Sequence, residues 1–437
     1  MNVRKIWIPV VALAFVLPAI AVEGATETDI GFSLGEEYKE AYTKYLDNFW
    51  DLVEDRGSTR EGILEWAKNH VEILREYYPE RLGLLEEVST STGIGFLEMV
   101  AISSLLPIEG GCTVSGSTGP ATKDGKTYMS WNMDLSFMGK PVTLLLSGIW
   151  ALIPQFSVVQ MPDRYSYFVA GLPLSCGIGV MNEKGLALSA NAVDSTDYGD
   201  GLTHLEIISM VLERCETAEE AVELMKSVPI FSGTEQTGML WNMNYLWADA
   251  EGGMVSVECT HNHFHAEYAG EEGILAQANH FQYLDCYEVG GPTPEDDYES
   301  SWMRGNRMRD LLQRYHGEID VELLQETIVT DTQYTVGRFG REWGTYDSIC
   351  REFFGQFPGR VPVTTLCVFV SSPMDKKIYL NPGDPKIFNW IEIDVGSILE
   401  DPSILVELLY STIAPFLQPQ IVRVIALAIK ALARIPG

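Results

Sequence analysis

The sequence of 437 residues predicts an α+β layered fold, on three observations. From Ser33 to about Leu106, apolar residues recur at helical spacing. From Cys112 onward the chain breaks into short apolar runs punctuated by glycine and proline, which read as strands and turns. Helical and strand-like stretches come in separate runs, so a doubly wound parallel sheet is not expected. A hydrophobic content of 46% with 11% aromatics supplies a core and excludes disorder of the chain as a whole.

The first residues read as an export signal. Arg4 and Lys5 make a short basic start, Ile6 to Leu17 is apolar without a charge, and Pro18 precedes the cleavage-type triplet Ala19-Ile20-Ala21. Stretched to Val22, the same run nears the roughly 17–25 residues of a membrane span, so an uncleaved anchor is the alternative. Either reading places the protein outside the cytoplasm, extracellular or at the cell surface.

Next in order, Ser58-Thr59-Arg60-Glu61 reads as a capping box, with Ile63, Leu64, Ala67 and Val71 following at helical spacing. Beyond Cys112, Thr127–Trp131 and Val142–Leu146 read as strands, the first after a turn at Lys123-Asp124-Gly125-Lys126. Thr217-Ala218-Glu219-Glu220 is a second capping box, opening a helix through Met225. Tyr245–Ala248 and Met254–Glu258 form a predicted hairpin across Asp249–Gly253. Met303–Gln313 is helical, and Thr364–Val370 pairs with Lys377–Leu380. From Pro402 to Ile435 the chain is apolar and helix-prone, with Arg423, Lys430 and Arg434 near one face. That face suits a membrane surface, and a helix packed on the domain suits the pattern equally. The domain plan is thus signal or anchor at 1–21, a helical pro-segment at 22–111, a catalytic domain at 112–400 and a tail at 401–437.

Charge and cysteines exclude several classes. A formal net charge of −31, from 61 acidic and 30 basic side chains, repels nucleic acid, and no basic stripe offsets it. The seven cysteines are scattered without a C-x-x-C pair, which gives no support to a zinc or redox motif. The run His261-Asn262-His263-Phe264-His265 has no acidic or cysteine ligand placed with it and is read as surface. No metal and no organic cofactor is expected.

The chemistry points to Gly110-Gly111-Cys112-Thr113. Paired glycines permit a strained backbone, and a cut before Cys112 would give one residue a thiol and a free α-amine. That amine, with a pKa of about 7.7–8.0, can take the thiol proton near neutral pH. Trp131-Asn132-Met133-Asp134 follows across a turn. Further along come Gly179-Val180-Met181-Asn182-Glu183-Lys184-Gly185-Leu186, Asn244-Tyr245-Leu246 before Asp249-Ala250-Glu251-Gly252, Asn279-His280-Phe281, and Ser301-Trp302-Met303-Arg304.

In this order the segments, spanning roughly Gly110 to Pro385, resemble the isopenicillin N acyltransferase family. These are self-processing N-terminal-nucleophile enzymes related to penicillin V acylases and bile-salt hydrolases. The resemblance implies a four-layer α-β-β-α sandwich of the N-terminal-nucleophile hydrolase type. It implies cleavage between Gly111 and Cys112, with the fragments staying associated, and attack by Cys112 on a small linear amide through a thioester. It makes Asp134 the partner of the new ammonium group, Asn244 the oxyanion donor, and Arg304 a substrate or pocket-bracing cation. Asn132, Asn191 and Asn279 are expected among the substrate contacts. Where the penicillin V acylase and bile-salt hydrolase branch has an arginine just before its aspartate, this chain has Trp131-Asn132, which argues against those substrates. Two alternatives stand beside amide hydrolysis: acyl-coenzyme A-dependent N-acyl transfer, and a non-catalytic exported binding protein.

Overall fold

The computed structural model describes residues 20–22, 27–55, 57–106, 110–136, 156–161, 163–174, 176–233, 241–294, 299–333, 348–351, 363–383, 385–386 and 388–408. The predicted strand Val142–Leu146, the basic start Arg4–Lys5 and the tail beyond Leu408 lie outside these residues.

The helical run is four helices: α1 (Glu27–Asp55), α2 (Arg60–Tyr77), α3 (Pro79–Thr92) and α4 (Phe96–Ser104). Their breaks follow local chemistry. Pro79 opens α3, and Gly93, at φ +78°, closes it in the left-handed conformation that suits glycine. Helix α2 starts one residue later than a Ser58 cap would place it. Thr59 adopts the extended cap conformation, and its hydroxyl accepts from the Gly62 N–H at 3.1 Å.

Two sheets follow. The first has eight strands in the order β1 (Ile20–Val22), β4 (Phe156–Val159), β5 (Tyr167–Leu172), β6 (Cys176–Asn182), β7 (Ala187–Asp194), β8 (Trp241–Ala248), β9 (Met254–Cys259) and β10 (Phe264–Tyr268). Only the β1–β4 pair is parallel among them, and β1 takes up Ile20 and Ala21 of the expected signal-cleavage triplet. The second has six strands in the order β11 (Ile274–Gln277), β2 (Gly110–Ser117), β3 (Tyr128–Ser136), β12 (Val363–Ser372), β13 (Lys377–Asn381) and β14 (Ile391–Asp394). The expected helical segment therefore ends at Ser104, and Gly110 and Gly111 already pair with Leu135 and Asp134 in the second sheet.

Local signals explain the connections. In the β8–β9 turn, Asp249 Oδ1 accepts from the N–H groups of Glu251 and Gly253, while Oδ2 accepts from Ala218 N–H at 2.8 Å. One carboxylate thus closes the hairpin and caps α6 (Ala218–Lys226). The Thr217–Glu220 capping box forms as its sequence predicts. At the β6–β7 turn, Asn182 Oδ1 accepts from Lys184 and Leu186, and its amide donates to the carbonyls of Leu212 and Cys215 at the end of α5 (His204–Arg214).

The sheets meet face to face. A Cβ on Gly179 of β6 would stand 2.3 Å from the Phe369 ring of β12, so only glycine lets the layers approach there. One hydrophobic core joins α1–α4, α5 and α6 to the first sheet and the inter-sheet space; a second lies between the far face of the second sheet and α7 (Glu299–Arg314). The result is the α-β-β-α sandwich, with α8 (Val395–Glu400) and α9 (Ser403–Leu408) at its edge. Among the described residues no helix is long and apolar enough to cross a membrane.

Candidate active site

Strand alternation sorts the candidate residues onto two faces of β2 and β3. Cys112, Val114 and Gly116 point one way, and Gly111, Thr113, Asn132 and Asp134 the other. The Cys112 face is the inner one, because a Cβ on Gly116 would meet Met254 and Leu246 of the opposite sheet. Leu246 shares its face of β8 with Asn244 and Asn242, and Asn191 of β7 is the register partner of Asn244. All three asparagines are fully buried. Both side-chain polar atoms of Asn191 and Asn242, and Oδ1 of Asn244, lack a hydrogen-bond partner among the described residues. An unpaired buried amide atom costs about 1–3 kcal/mol, so these atoms take their partners from outside the described residues.

The backbone of Cys112 is held by side chains. The β11–β2 ladder runs from Ile274 opposite Ser117 to Gln277 opposite Val114 and stops. Two residues further, Asn279 accepts the Cys112 N–H on Oδ1 at 2.8 Å and donates from Nδ2 to the Ala192 carbonyl at 2.8 Å. Arg304, from the first turn and a half of α7, donates to the Cys112 carbonyl, to Thr113 Oγ1 at 2.8 Å and to Asn279 Oδ1 at 2.8 Å. One turn before Arg304, Ser301 Oγ lies 2.8 Å from His280 Nδ1, and the Trp302 ring stacks on His280. The Ser301-to-Arg304 spacing thus ties Asn279 and its neighbour to one helix face. Glu258, buried on β9, accepts from the N–H groups of Gln282, Tyr283 and Leu284 and fixes the chain that presents Asn279.

On the outer face, Asp134 is buried with Thr365 donating to Oδ1 at 2.7 Å and Arg351 Nε 3.2 Å from Oδ2. Burial pushes its carboxyl up, opposed first by Arg351 and then by Arg304 and the Thr365 hydrogen bond. A Cβ on Gly111 would stand 3.2 Å from Arg351 Nη1 and 3.4 Å from Arg304 Nη2. Burial likewise pushes the Cys112 thiol up to about 11. The Trp131 indole, Arg304 and the Ala192 amide favour the thiolate, and Asp134 disfavours it.

The expected residues therefore separate. Asn279 and Arg304 touch Cys112 directly, Asn191 and Asn244 line the inner face, and Asp134 is the register partner of Gly111. Asn132, expected among substrate contacts, projects away from the thiol, and its amide donates to the carbonyls of Val329 and Ile349. Asn244 donates to the His280 carbonyl at 2.9 Å. Arg351, Thr365, Glu258 and Ala192 carried no sequence signal apart from Glu258, a charge on the polar face of an apolar strand. The histidine run is dispersed: His261 faces the Ile230 carbonyl, His263 faces Asp197, and His265 faces Glu267. Among the described residues no group of three or more His, Cys, Asp or Glu is placed to hold a metal ion.

His280 gives the site a measurable pH dependence. Burial, then Arg304 and Arg309, pull its pKa down to about 3. The folded state therefore favours the neutral ring, and that stability is present above about 6.5 and lost as pH falls toward 3. Over this window the unfolded chain binds one more proton, a slope of about 1.4 kcal/mol per pH unit. In His280→Gln, denaturant unfolding between about pH 6 and 4 is expected to lose that slope. An unchanged slope would show that the ring is not held neutral.

Three solved structures are similar at low identity. A mutant of the conjugated bile acid hydrolase from Clostridium perfringens is 13% identical with a TM-score of 0.41, covering 65% of this chain and 93% of that one. A second variant of that enzyme is 13% identical with a TM-score of 0.42 and the same coverage. The penicillin V acylase from Agrobacterium tumefaciens is 14% identical with a TM-score of 0.40, covering 65% of this chain and 86% of that one. No curated protein matches the sequence. A family model matches residues 156–386, more than half of the chain. The matched stretch holds Asn191, Asn244, Asn279, Arg304 and Arg351, while Cys112 and Asp134 precede it and join these residues through β2 and β3. By that match, the chain belongs to the acyl-coenzyme A:6-aminopenicillanic acid acyl-transferase family.

Proposed function

We propose that the chain cuts itself between Gly111 and Cys112, then cleaves or transfers the acyl group of a linear amide through a thioester on Cys112. Family membership supports acyl transfer or amide hydrolysis as the reaction class. The observation that carries the finer reading is the grip on Cys112. On the edge where β11 has ended, its N–H and C=O are bound by the side chains of Asn279 and Arg304, while Gly110 and Gly111 are paired to β3, so the two sides of the Gly111–Cys112 peptide are held by separate partners.

The Cys112 sulfur attacks the Gly111 carbonyl carbon, the C–N bond breaks, and the thiol proton ends on the departing Cys112 nitrogen. Water then hydrolyses the thioester, leaving a Gly111 carboxylate, a free thiol and one proton, which the new α-amine takes up as an ammonium group and can exchange with solvent. A thiol at about 11 is thiolate in only on the order of one molecule in ten thousand at pH 7. In the mature enzyme the adjacent amine, with an ordinary pKa of about 7.7–8.0, is suited to act as the base.

The fragments are expected to stay together. Tyr42 donates to the Pro173 carbonyl, Arg81 to Ser209 and the Leu174 carbonyl, and His70 and Ser104 both meet the buried Glu206. Trp66 packs on Phe231. Each fully buried large apolar side chain, such as Ile63 or Leu74, adds about 2 kcal/mol. Export and a membrane-surface contact of the tail belong to the same proposal and rest on residues 1–21 and 421–435 alone.

Intact mass of the native protein tests the reading: two co-purifying fragments, the second beginning at Cys112, are expected. A single uncut, active chain would end it. Transfer to an amine is the second reading, favoured by the family match; amide formation from an acyl thioester and an added amine, in excess of hydrolysis, would select it.

A further inference from the structure

We propose that Arg351 is a positioning residue for self-cleavage, holding Asp134 as an oriented carboxylate for the α-amine of Cys112. The inference rests on the self-cleavage reading. It starts from a residue outside the segments that carry the resemblance, which pairs by charge with Oδ2 of Asp134 and reaches Oδ1 through Thr365. Arg351 Nε lies 3.2 Å from Oδ2. Its backbone N–H donates to Thr365 Oγ1 at 2.9 Å, and that hydroxyl donates to Asp134 Oδ1 at 2.7 Å. The Arg351 carbonyl in turn accepts from Thr365 N–H at 2.9 Å, which locks the two residues together.

The guanidinium itself is fixed. Nη2 donates to Ser300 Oγ at 2.8 Å, next to the Ser301 that braces His280, and Nη1 faces Gly111. Arg351 is buried, so its fork cannot turn to solvent. The charged and titratable groups around Asp134 are Arg351 from the segment 348–351, Arg304 from α7, Cys112 from β2 and Cys367 from β12. Of the two cations, Arg304 is engaged by the Cys112 carbonyl, Thr113 and Asn279, and Arg351 makes the ion pair. A carboxylate taken from water this completely stays charged only with such a partner. Once the bond before Cys112 opens, the new ammonium arises one register step from Asp134, and an ionised, immobile carboxylate is what would receive it.

The test reads Asp134 directly, in the full chain, by carbon-13 carboxyl titration with the resonance assigned from Asp134→Asn. In Arg351→Met the Asp134 midpoint is expected to rise by about one pH unit or more, with Arg351→Lys returning it most of the way. Intact mass at timed intervals is expected to show cleavage slowed at least about tenfold in Arg351→Met and less in Arg351→Lys. An unmoved midpoint, or cleavage of Arg351→Met at the wild-type rate, overturns the inference. If Arg351→Met does not fold, Arg351→Gln and Arg351→Lys carry the same comparison. Should wild-type protein prove uncut, the self-cleavage reading fails by itself, and the titration still decides whether Arg351 governs Asp134.

Discussion

Replacing Cys112 with alanine is expected to leave a single uncut chain with no amide-cleaving or acyl-transfer activity. Both losses follow from one atom. Without sulfur nothing attacks the Gly111 carbonyl, so the N-terminal amine never forms and no thioester can be built on the substrate. The fold should survive, because the Cys112 contacts that organise the site are made by its backbone N–H and C=O with Asn279 and Arg304. Gly111→Val separates the two stages. Its Cβ would press on the guanidinium groups of Arg351 and Arg304 at 3.2 and 3.4 Å, which must give way before the scissile peptide settles. Cleavage should slow, and the mature enzyme, once formed, should turn over as the wild type does, because residue 111 has left the nucleophile. Time-resolved intact mass alongside activity per cleaved molecule checks both. Cleavage at Cys112 in the alanine variant would sink the mechanism.

Asn279→Ala is expected to lower both self-cleavage and turnover by about a hundredfold or more. The side chain accepts from the Cys112 N–H, receives Arg304 and donates across to Ala192 on the facing sheet. Its loss frees the scissile nitrogen, Arg304 and the Ala192 carbonyl together. A displacement of the reacting groups by about 1 Å typically costs about a hundredfold in rate. Asn279→Asp keeps the acceptor for Cys112 and Arg304 but sets an oxygen against the Ala192 carbonyl, so it should fail on the donor side alone. Asn244→Ala should behave differently. Its amide reaches the His280 carbonyl and has no described bond to the uncut peptide, so cleavage should proceed while turnover of the cleaved enzyme falls about a hundredfold. Single-turnover measurements on fully cleaved protein check this split. Normal turnover in Asn244→Ala would remove it from the oxyanion site, and normal cleavage in Asn279→Ala would remove Asn279 from processing.

Sequence alone determined what depends on neighbours a few residues apart. The Thr217–Glu220 cap, the Tyr245–Glu258 hairpin closed by Asp249, and the turn at Asn182–Leu186 each need only local hydrogen bonds, and the residue order states them. The separate helical and strand runs fixed an α+β class for the same reason: periodicity is a local property. Even there a one-residue choice escaped, since Ser58 and Thr59 can both cap and the backbone of Thr59 takes the role. The order of chemistry-bearing segments gave Cys112, Asp134, Asn279 and Arg304 as candidates.

Which of these meet was decided by the tertiary structure. The β2–β11 register ends at Val114, and that brings Asn279 to the Cys112 N–H across 167 residues of sequence. The pleat of β3 sends Asp134 and Asn132 to the face away from the thiol, and a shift of one residue would have exchanged them with Met133. Arg351 reaches Asp134 only because β12 pairs with β3 and carries Thr365 to the carboxylate, and nothing beside Arg351 in the chain announces that contact. Electrostatics in a closed core depend on which charges share it, and strand pairing over hundreds of residues decides that rather than spacing along the chain.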